Sequence, residues 1–96
     1  MLSILIPTYN YNVYPLVCEL KKQAEQLDIA FEILVQDDAS TLFLSDNEAI
    51  NSLKNCLYFL NSENLGRGNN INTLTSKAKF SYVLLLEADA LPENEN

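Results

Sequence analysis

The stretch YVLLLEAD, residues 82–89, carries the strongest indication of fold in this 96-residue sequence. Its first five residues are apolar, which is typical of a strand buried on both faces inside a parallel sheet. Two carboxylates, Glu87 and Asp89, follow at the carboxyl end of this predicted strand. Open α/β sheets place their ligands at that edge, and carboxylates there suit a hard cation that carries phosphate oxygens. The stretch therefore predicts either a metal–phosphate site or a strand that simply ends in a polar turn.

Apolar runs and helical stripes alternate along the whole chain. Predicted strands cover residues 2–6, 31–35, 56–60 and 82–86, and predicted helices cover residues 13–27, about 46–54 and 69–79. The second helix is expected to start after Ser45, because Ser45 and Glu48 have the spacing of a capping box. The order β-α-β-α-β-α-β favours an α/β fold, a three-layer Rossmann-like half with a mostly parallel sheet. In the half-Rossmann strand order, the first and fourth strands flank the switch point, so their carboxyl ends would lie together.

Composition excludes several classes of function. The hydrophobic fraction of 48% is ordinary for a globular chain, and the net charge of −7 disfavours nucleic acid and anionic membranes as partners. The chain has no histidine, so serine–histidine and cysteine–histidine catalysis are excluded within it. Cys18 and Cys56 match no metal-ligand spacing and are expected to be reduced thiols. No signal peptide is visible and no stretch approaches the length of a membrane span.

Polar segments follow each predicted strand. PTYN, residues 7–10, follows the first strand, DDAST, residues 37–41, the second, and NLGRGNNIN, residues 64–72, the third. Each segment has a purely structural interpretation: a strand end, an Asx turn or a loop into a helix. The glycines do not form a dinucleotide fingerprint, because they follow the third strand and a third glycine is missing. Convergence of the segments on one edge of the sheet nevertheless indicates a ligand site.

Together with Glu87 and Asp89, these segments resemble the nucleotide-binding half of family 2 glycosyltransferases, inverting enzymes with a GT-A fold. They are similar, in order, to the family's P-T-Y-N loop, V-D-D-x-S-T turn, N-x-G-x-x-x-A-R-N segment and L-D-x-D metal motif. Two residues depart from that pattern. Glu87 stands where the family has aspartate, and Ile71 stands where it has arginine.

The resemblance implies roles for individual residues. Seven are expected to bind a nucleotide sugar: Pro7, Thr8, Tyr9, Asn10, Asp37, Asp38 and Arg67. Among them, Tyr9 would stack on the base, and Asp38 would accept hydrogen bonds from the base or ribose. Arg67 is not the family's arginine, but its charge beside a helix N-terminus predicts a donor to the diphosphate. Asp89, helped by Glu87, would hold Mg²⁺ or Mn²⁺. The other tyrosines singled out, at positions 11, 14, 58 and 82, are expected to be packing or surface residues.

The activity implied by the resemblance is transfer of a sugar from a nucleotide-diphospho-sugar, of the UDP type, to an acceptor hydroxyl. Residues 1–96 would be the nucleotide-sugar-binding part. The family's acceptor-side base lies beyond the metal motif, so we expect the acceptor part to be absent, no catalytic base in this chain, and no turnover by the chain alone.

The resemblance and the reduced thiols favour a cytoplasmic location, which in the full-length protein could be the cytoplasmic face of the membrane. Self-association through an exposed sheet edge is also expected. Two alternatives stay open. One is a non-catalytic α/β module whose acids are surface loops. The other is a Mg²⁺-dependent phosphate-binding domain of the receiver or haloacid phosphatase type, which would place its key acid after the first strand, where this chain has residues 7–10.

Overall fold

Four parallel strands form the centre of the structure, a computed structural model in which residues 1–88 are described. The strands are β1 (Leu2–Thr8), β2 (Phe31–Asp37), β3 (Cys56–Leu60) and β4 (Tyr82–Leu85). Their order in the sheet is β3-β2-β1-β4, and every neighbouring pair is parallel. The predicted α/β fold with half-Rossmann strand order is therefore confirmed, and the part of the sheet that is described is entirely parallel.

The register of the strands opens a crevice beside β1. Strand β1 pairs with β2 along its whole length, from Leu2 opposite Phe31 to Thr8 opposite Asp37. On its other side β1 pairs with β4 only as far as Leu5. Within residues 1–88, the last three residues of β1 therefore lack a strand neighbour on the β4 side. The strand does not end at Pro7 as predicted, but carries Thr8 to the edge of the crevice.

Helix α1 (Tyr14–Gln26) follows the sequence prediction closely. Its flanking caps are Val13 and Leu27, the two predicted ends, and Pro15 lies in the first turn, where its missing N–H is not needed. Leu16, Val17 and Ala24 are buried on the face toward the sheet. The helical spacing of the apolar residues thus placed the helix correctly.

Helices α2 (Leu44–Glu48) and α3 (Arg67–Thr75) begin earlier than predicted. The cap of α2 is Phe43, which has a left-handed φ of 63° and provides no side-chain hydrogen bond. Ser45 already lies inside the helix, so the predicted capping box is wrong. A short 3-10 turn (Ala49–Ser52) continues α2 toward β3.

The core lies on both faces of the sheet, which gives three layers. On one face, alternate residues of β1 and β2 such as Ile4, Ile6, Ile33 and Val35 pack with α1 and with the 3-10 turn. On the other face, a smaller cluster joins Leu5 and Leu34 to Leu74 of α3.

Strand β4 is not buried as its apolar run predicted. Tyr82 is 73% exposed, and Val83, Leu84 and Leu85 are 46%, 43% and 44% exposed. The prediction of burial on both faces is wrong because β4 is an edge strand, paired only with β1 among the described strands. Within residues 1–88, no helix is long and apolar enough to cross a bilayer.

Candidate functional site

A cavity of about 390 Å³ lies at the carboxyl edge of the sheet, beside the end of β1 and the residues that follow β4. Its size is typical of a small-molecule site, and its position is the switch point of the sheet. Eleven residues line it: Pro7, Thr8, Tyr9, Tyr11, Asp38, Asn64, Gly66, Arg67, Asn70, Glu87 and Ala88. The structure thus brings together residues from all four segments singled out in the sequence.

The β1 side of the cavity is formed by Pro7, Thr8 and Tyr9. Thr8 is only 5% exposed, and its Oγ1 atom has no hydrogen-bond partner among the described residues. A buried hydroxyl without a partner is costly. Tyr9 is 53% exposed, so its ring remains available to a ligand. Tyr11, expected to be a packing or surface residue, also lines the cavity.

Asn10 lies outside the cavity and joins two loops. Its Oδ1 accepts hydrogen bonds from the backbone N–H groups of Thr41 at 2.8 Å and Leu42 at 3.2 Å. Its own backbone N–H donates to Ser40 Oγ at 2.6 Å. Its φ of 51° is left-handed, a conformation that asparagine tolerates better than most residues. The structure therefore places Asn10 as a support for the loop that carries Tyr9.

Asp37 is fully buried and does not line the cavity. Its Oδ1 accepts hydrogen bonds from the Ser40 backbone N–H at 3.0 Å and from the Ser40 hydroxyl. Its Oδ2 accepts a hydrogen bond from the Tyr58 hydroxyl. Burial and this hydrogen bond raise the pKa of Tyr58 above its ordinary value. These contacts make Asp37 an anchor of the turn after β2.

Asp38 lines the cavity but is largely engaged by the loop before α3. Its Oδ1 accepts hydrogen bonds from Leu65 N–H at 2.6 Å and Asn61 Nδ2 at 3.0 Å. Its Oδ2 accepts one from Gly66 N–H at 2.9 Å. A carboxylate has about four lone-pair positions, and three are used here. Asp38 thus fastens the end of β2 to the start of α3, and little acceptor capacity remains for a ligand.

The N-terminus of α3 contributes to the cavity through Gly66, Arg67 and Asn70. Gly66 is the cap, with a φ of +88°, and a Cβ atom there would meet nothing within 4 Å. Glycine is therefore favoured by the backbone conformation, not by lack of space. No side chain caps the helix, so N–H groups of its first turn are available to an anion.

A polar network behind the cavity holds α3 in place and was not identified from the sequence. Asn61 Nδ2 donates to Asn70 Oδ1 at 2.7 Å, and Asn70 Nδ2 donates to the Gln36 carbonyl at 3.0 Å. Gln36 Nε2 in turn donates to Asn61 Oδ1 at 2.7 Å. The sequence feature that could have revealed this network is Asn70, a polar residue four positions before Leu74 on the inward face of the helix.

Arg67 and Glu87 form an ion pair at the mouth of the cavity, between Arg67 Nη2 and Glu87 Oε2. Their side chains are 62% and 56% exposed, respectively. Asp89, the other predicted metal ligand, lies outside the described residues. Within residues 1–88 there is no cluster of three or more side chains of the types that bind metals. In the described part of the chain, the one exposed carboxylate in the cavity that could bind a cation is therefore that of Glu87, and it is already paired with Arg67.

Comparison with known proteins identifies a family and solved structures of similar fold. The sequence profile of Glycosyl transferase family 2 matches residues 3–96. No significant match was found among curated proteins. Among solved structures, TarS of S. aureus superposes with a TM-score of 0.71 at 28% identity, over 92% of this chain and 16% of that one. Residues 1–349 of TarS in complex with UDP-GlcNAc match with a TM-score of 0.66 at 28% identity, over 92% and 26%.

A mannosyltransferase, PcManGT of Pyrobaculum calidifontis, in complex with GDP-Man and Mn²⁺, matches with a TM-score of 0.69 at 25% identity, over 94% of this chain and 28% of that one. The chain thus spans between 16% and 28% of the length of these three solved structures. Since the family profile covers almost the whole sequence and the fold agrees, this chain belongs to glycosyltransferase family 2.

Proposed function

We propose that residues 1–96 form the nucleotide-sugar-binding part of a glycosyltransferase that transfers a sugar from a UDP-type donor to an acceptor hydroxyl. The observation that carries the proposal is a single cavity at the switch point in which Tyr9, the α3 N-terminus and Arg67 meet. The Tyr9 ring suits a nucleotide base. The N–H groups at the start of α3 and the Arg67 guanidinium both suit oxygens of a diphosphate. The UDP-GlcNAc and GDP-Man complexes of similar structures support a nucleotide sugar as the ligand.

The layout of the cavity suggests how the donor would lie. Tyr9 would stack on the base, next to Thr8, whose unpaired hydroxyl is buried in the free chain and would bond the nucleoside after a small shift of the β1 wall. The diphosphate would lie at the start of α3, where backbone N–H groups and Arg67 favour negative charge. With a net charge of −7, the chain needs such local donors to hold an anion. Asp38 would act mainly through the loop that it fastens, and Asn10 and Asp37 would support the two loops from outside the cavity.

A divalent cation is part of the proposal. Glu87 lies at the mouth of the cavity on the side where the diphosphate would bind, and Asp89 follows two residues later. Mg²⁺ and Mn²⁺ are often held by one or two carboxylates together with phosphate oxygens, so this donor set fits them. The Mn²⁺ in the PcManGT complex supports the same assignment. When bound, the cation would stabilise the charge that develops on the leaving diphosphate.

We expect the isolated chain to bind its donor without transferring the sugar. Of the described residues that line the cavity, only Asp38 and Glu87 carry carboxylates. Asp38 is engaged by three donors and Glu87 is assigned to the cation, so neither is left to take a proton from an acceptor. A cytoplasmic location is also proposed, supported by the two free cysteines.

The test is calorimetry and thermal unfolding of the purified chain with UDP, GDP and Mn²⁺, singly and together. A ligand that binds only the folded chain raises its melting temperature. We expect UDP with Mn²⁺ to raise it, and Arg67→Gln to reduce the effect. Lys54→Gln is the matched control, because Lys54 is exposed and does not line the cavity. Absence of any shift with either nucleotide would overturn the proposal and favour a non-catalytic module. Release of UDP from UDP-GlcNAc by the chain alone would overturn only the expected inactivity.

A further inference from the structure

We infer that Arg67 and Glu87 exchange partners when the donor binds, so that the diphosphate and the divalent cation bind cooperatively and each binds weakly alone. The inference rests on the proposed function and adds a mechanism that couples the two ligands. The ion pair joins Arg67, the first residue of α3, to Glu87, which lies just beyond β4 at the mouth of the cavity.

Separating the ion pair costs little free energy. Both side chains are more than half exposed, so water screens their attraction and solvates either partner on separation. Neither side chain has another hydrogen-bond partner among the described residues. Breaking the pair therefore disrupts no buried network, in contrast to the bonds that hold Asp38 to Leu65 and Gly66.

In the free chain, each member of the pair neutralises the group that a ligand would use. A diphosphate that takes Arg67 alone leaves Glu87 unpaired beside added negative charge. A divalent cation that takes Glu87 alone leaves Arg67 unpaired beside added positive charge. When both ligands are present, Arg67 meets a phosphate oxygen and Glu87 meets the cation, so every charge is paired. Coupling of this kind is reciprocal: each ligand raises the affinity for the other by the same factor.

Variants that remove one partner should release the other. In Glu87→Gln, Arg67 is free of its ion pair, and we expect UDP without metal to bind about threefold more tightly than to the original chain. In Arg67→Gln, Glu87 is free, and we expect Mn²⁺ without nucleotide to bind about threefold more tightly. If each side chain only bound its own ligand and the ion pair had no effect, Glu87→Gln would leave the affinity for metal-free UDP unchanged, and Arg67→Gln would leave the affinity for Mn²⁺ unchanged.

The measurement is isothermal titration calorimetry with UDP in a metal chelator, with Mn²⁺ alone, and with UDP at saturating Mn²⁺. Because Mn²⁺ and UDP also associate in solution, the coupling factor is compared between variants and not read as an absolute value. Glu63→Gln and Lys54→Gln are the matched controls, since both residues are exposed and outside the cavity. Circular dichroism confirms that each variant is folded, which the exposure of both side chains leads us to expect.

The outcomes separate this inference from the proposed function. If the original chain binds UDP with Mn²⁺, and Glu87→Gln does not tighten metal-free UDP or Arg67→Gln does not tighten Mn²⁺, the partner exchange is refuted and the proposed function stands. If the original chain binds neither UDP nor its Mn²⁺ complex, the proposed function fails and the exchange fails with it. Tighter single-ligand binding in both variants, with a reduced coupling factor, supports the exchange.

Discussion

Replacing Thr8 with valine should stabilise the free protein and weaken donor binding at the same time. Thr8 is 5% exposed at the cavity wall, and its Oγ1 has no partner within the described part of the chain. Valine has nearly the same shape but lacks the hydroxyl. The substitution therefore removes an unsatisfied polar atom from the free state and a hydrogen-bonding group from the complex.

The size of each effect follows from the burial of the hydroxyl. An unsatisfied buried polar group costs about 1–3 kcal/mol, so we expect Thr8→Val to raise the free energy of unfolding by about 1 kcal/mol. For a domain of 60–100 residues, that corresponds to a rise in melting temperature of about 4–8 °C. A lost ligand hydrogen bond is worth about 0.5–1.5 kcal/mol, so the dissociation constant for UDP with Mn²⁺ should rise about two- to tenfold.

Urea denaturation and thermal unfolding give the first quantity, and calorimetry with UDP and Mn²⁺ gives the second. Thr41→Val is the matched control, because Thr41 is exposed and lies outside the cavity. A destabilised Thr8→Val protein would refute the reasoning that the hydroxyl is unsatisfied in the free chain. Higher stability with unchanged affinity for UDP would show that the hydroxyl does not contact the donor.

Three further predictions concern residues away from the cavity. Tyr58→Phe should lower the free energy of unfolding by about 1–3 kcal/mol, because the buried Asp37 carboxylate loses a donor; the exposed Tyr82→Phe is the control in urea denaturation. Burial raises the pKa of the Cys56 thiol from 9.0 to about 11, so the unfolded chain binds fewer protons than the folded one between these pH values. The free energy of unfolding should therefore fall from pH 9 to pH 11, and this part of the slope should be missing in Cys56→Ala. The exposed edge of β4 should cause self-association that Val83→Lys reduces in analytical ultracentrifugation; a strictly monomeric original chain at high concentration would contradict this.

The strands and the first helix could be predicted because their signals are local. Strand β3 has the predicted bounds, Cys56–Leu60, and helix α1 lies between the predicted ends, Val13 and Leu27. An apolar run or a stripe at helical spacing indicates a strand or a helix from neighbouring residues alone. The order of the sheet agrees with the half-Rossmann arrangement that the alternation of strands and helices favoured.

Two features could not be predicted because they depend on context. The apolar run of β4 does not reveal how many strands lie beside it in the sheet. Its edge position leaves Tyr82 and Leu84 exposed. The start of α2 depends on the left-handed conformation of Phe43, which lets the helix begin before Ser45. The capping-box spacing shows that Ser45 could cap a helix, but it contains no information on the backbone conformation of the preceding residue.

The location of the candidate site could be predicted more reliably than the roles of its individual residues. The edge of the sheet gathers Thr8, Tyr9, Asp38, Arg67 and Glu87 in one cavity, as the topology implied. Asn10 and Asp37 lie outside the cavity. Asp37 bonds Ser40 within its own segment, but Asn10 also bonds residues 41 and 42, and Asp37 also bonds Tyr58, and these partners are distant in sequence. Those partners cannot be read from a motif that spans a few consecutive residues.

The three hydrogen bonds of Asp38 have a consequence for how the cavity can respond to a ligand. They join the end of β2 to the loop before α3, so that two walls of the cavity form a single preorganised unit. A donor that docks on this unit loses little affinity to ordering the protein. Among the described residues, the opposite wall, at Glu87 and Ala88, follows the four-residue edge strand β4, which is paired with β1 alone, and its ion pair to the α3 side is exposed. Adjustment to donors of different size should therefore occur at the β4 side, while the side fastened by Asp38 acts as a fixed template.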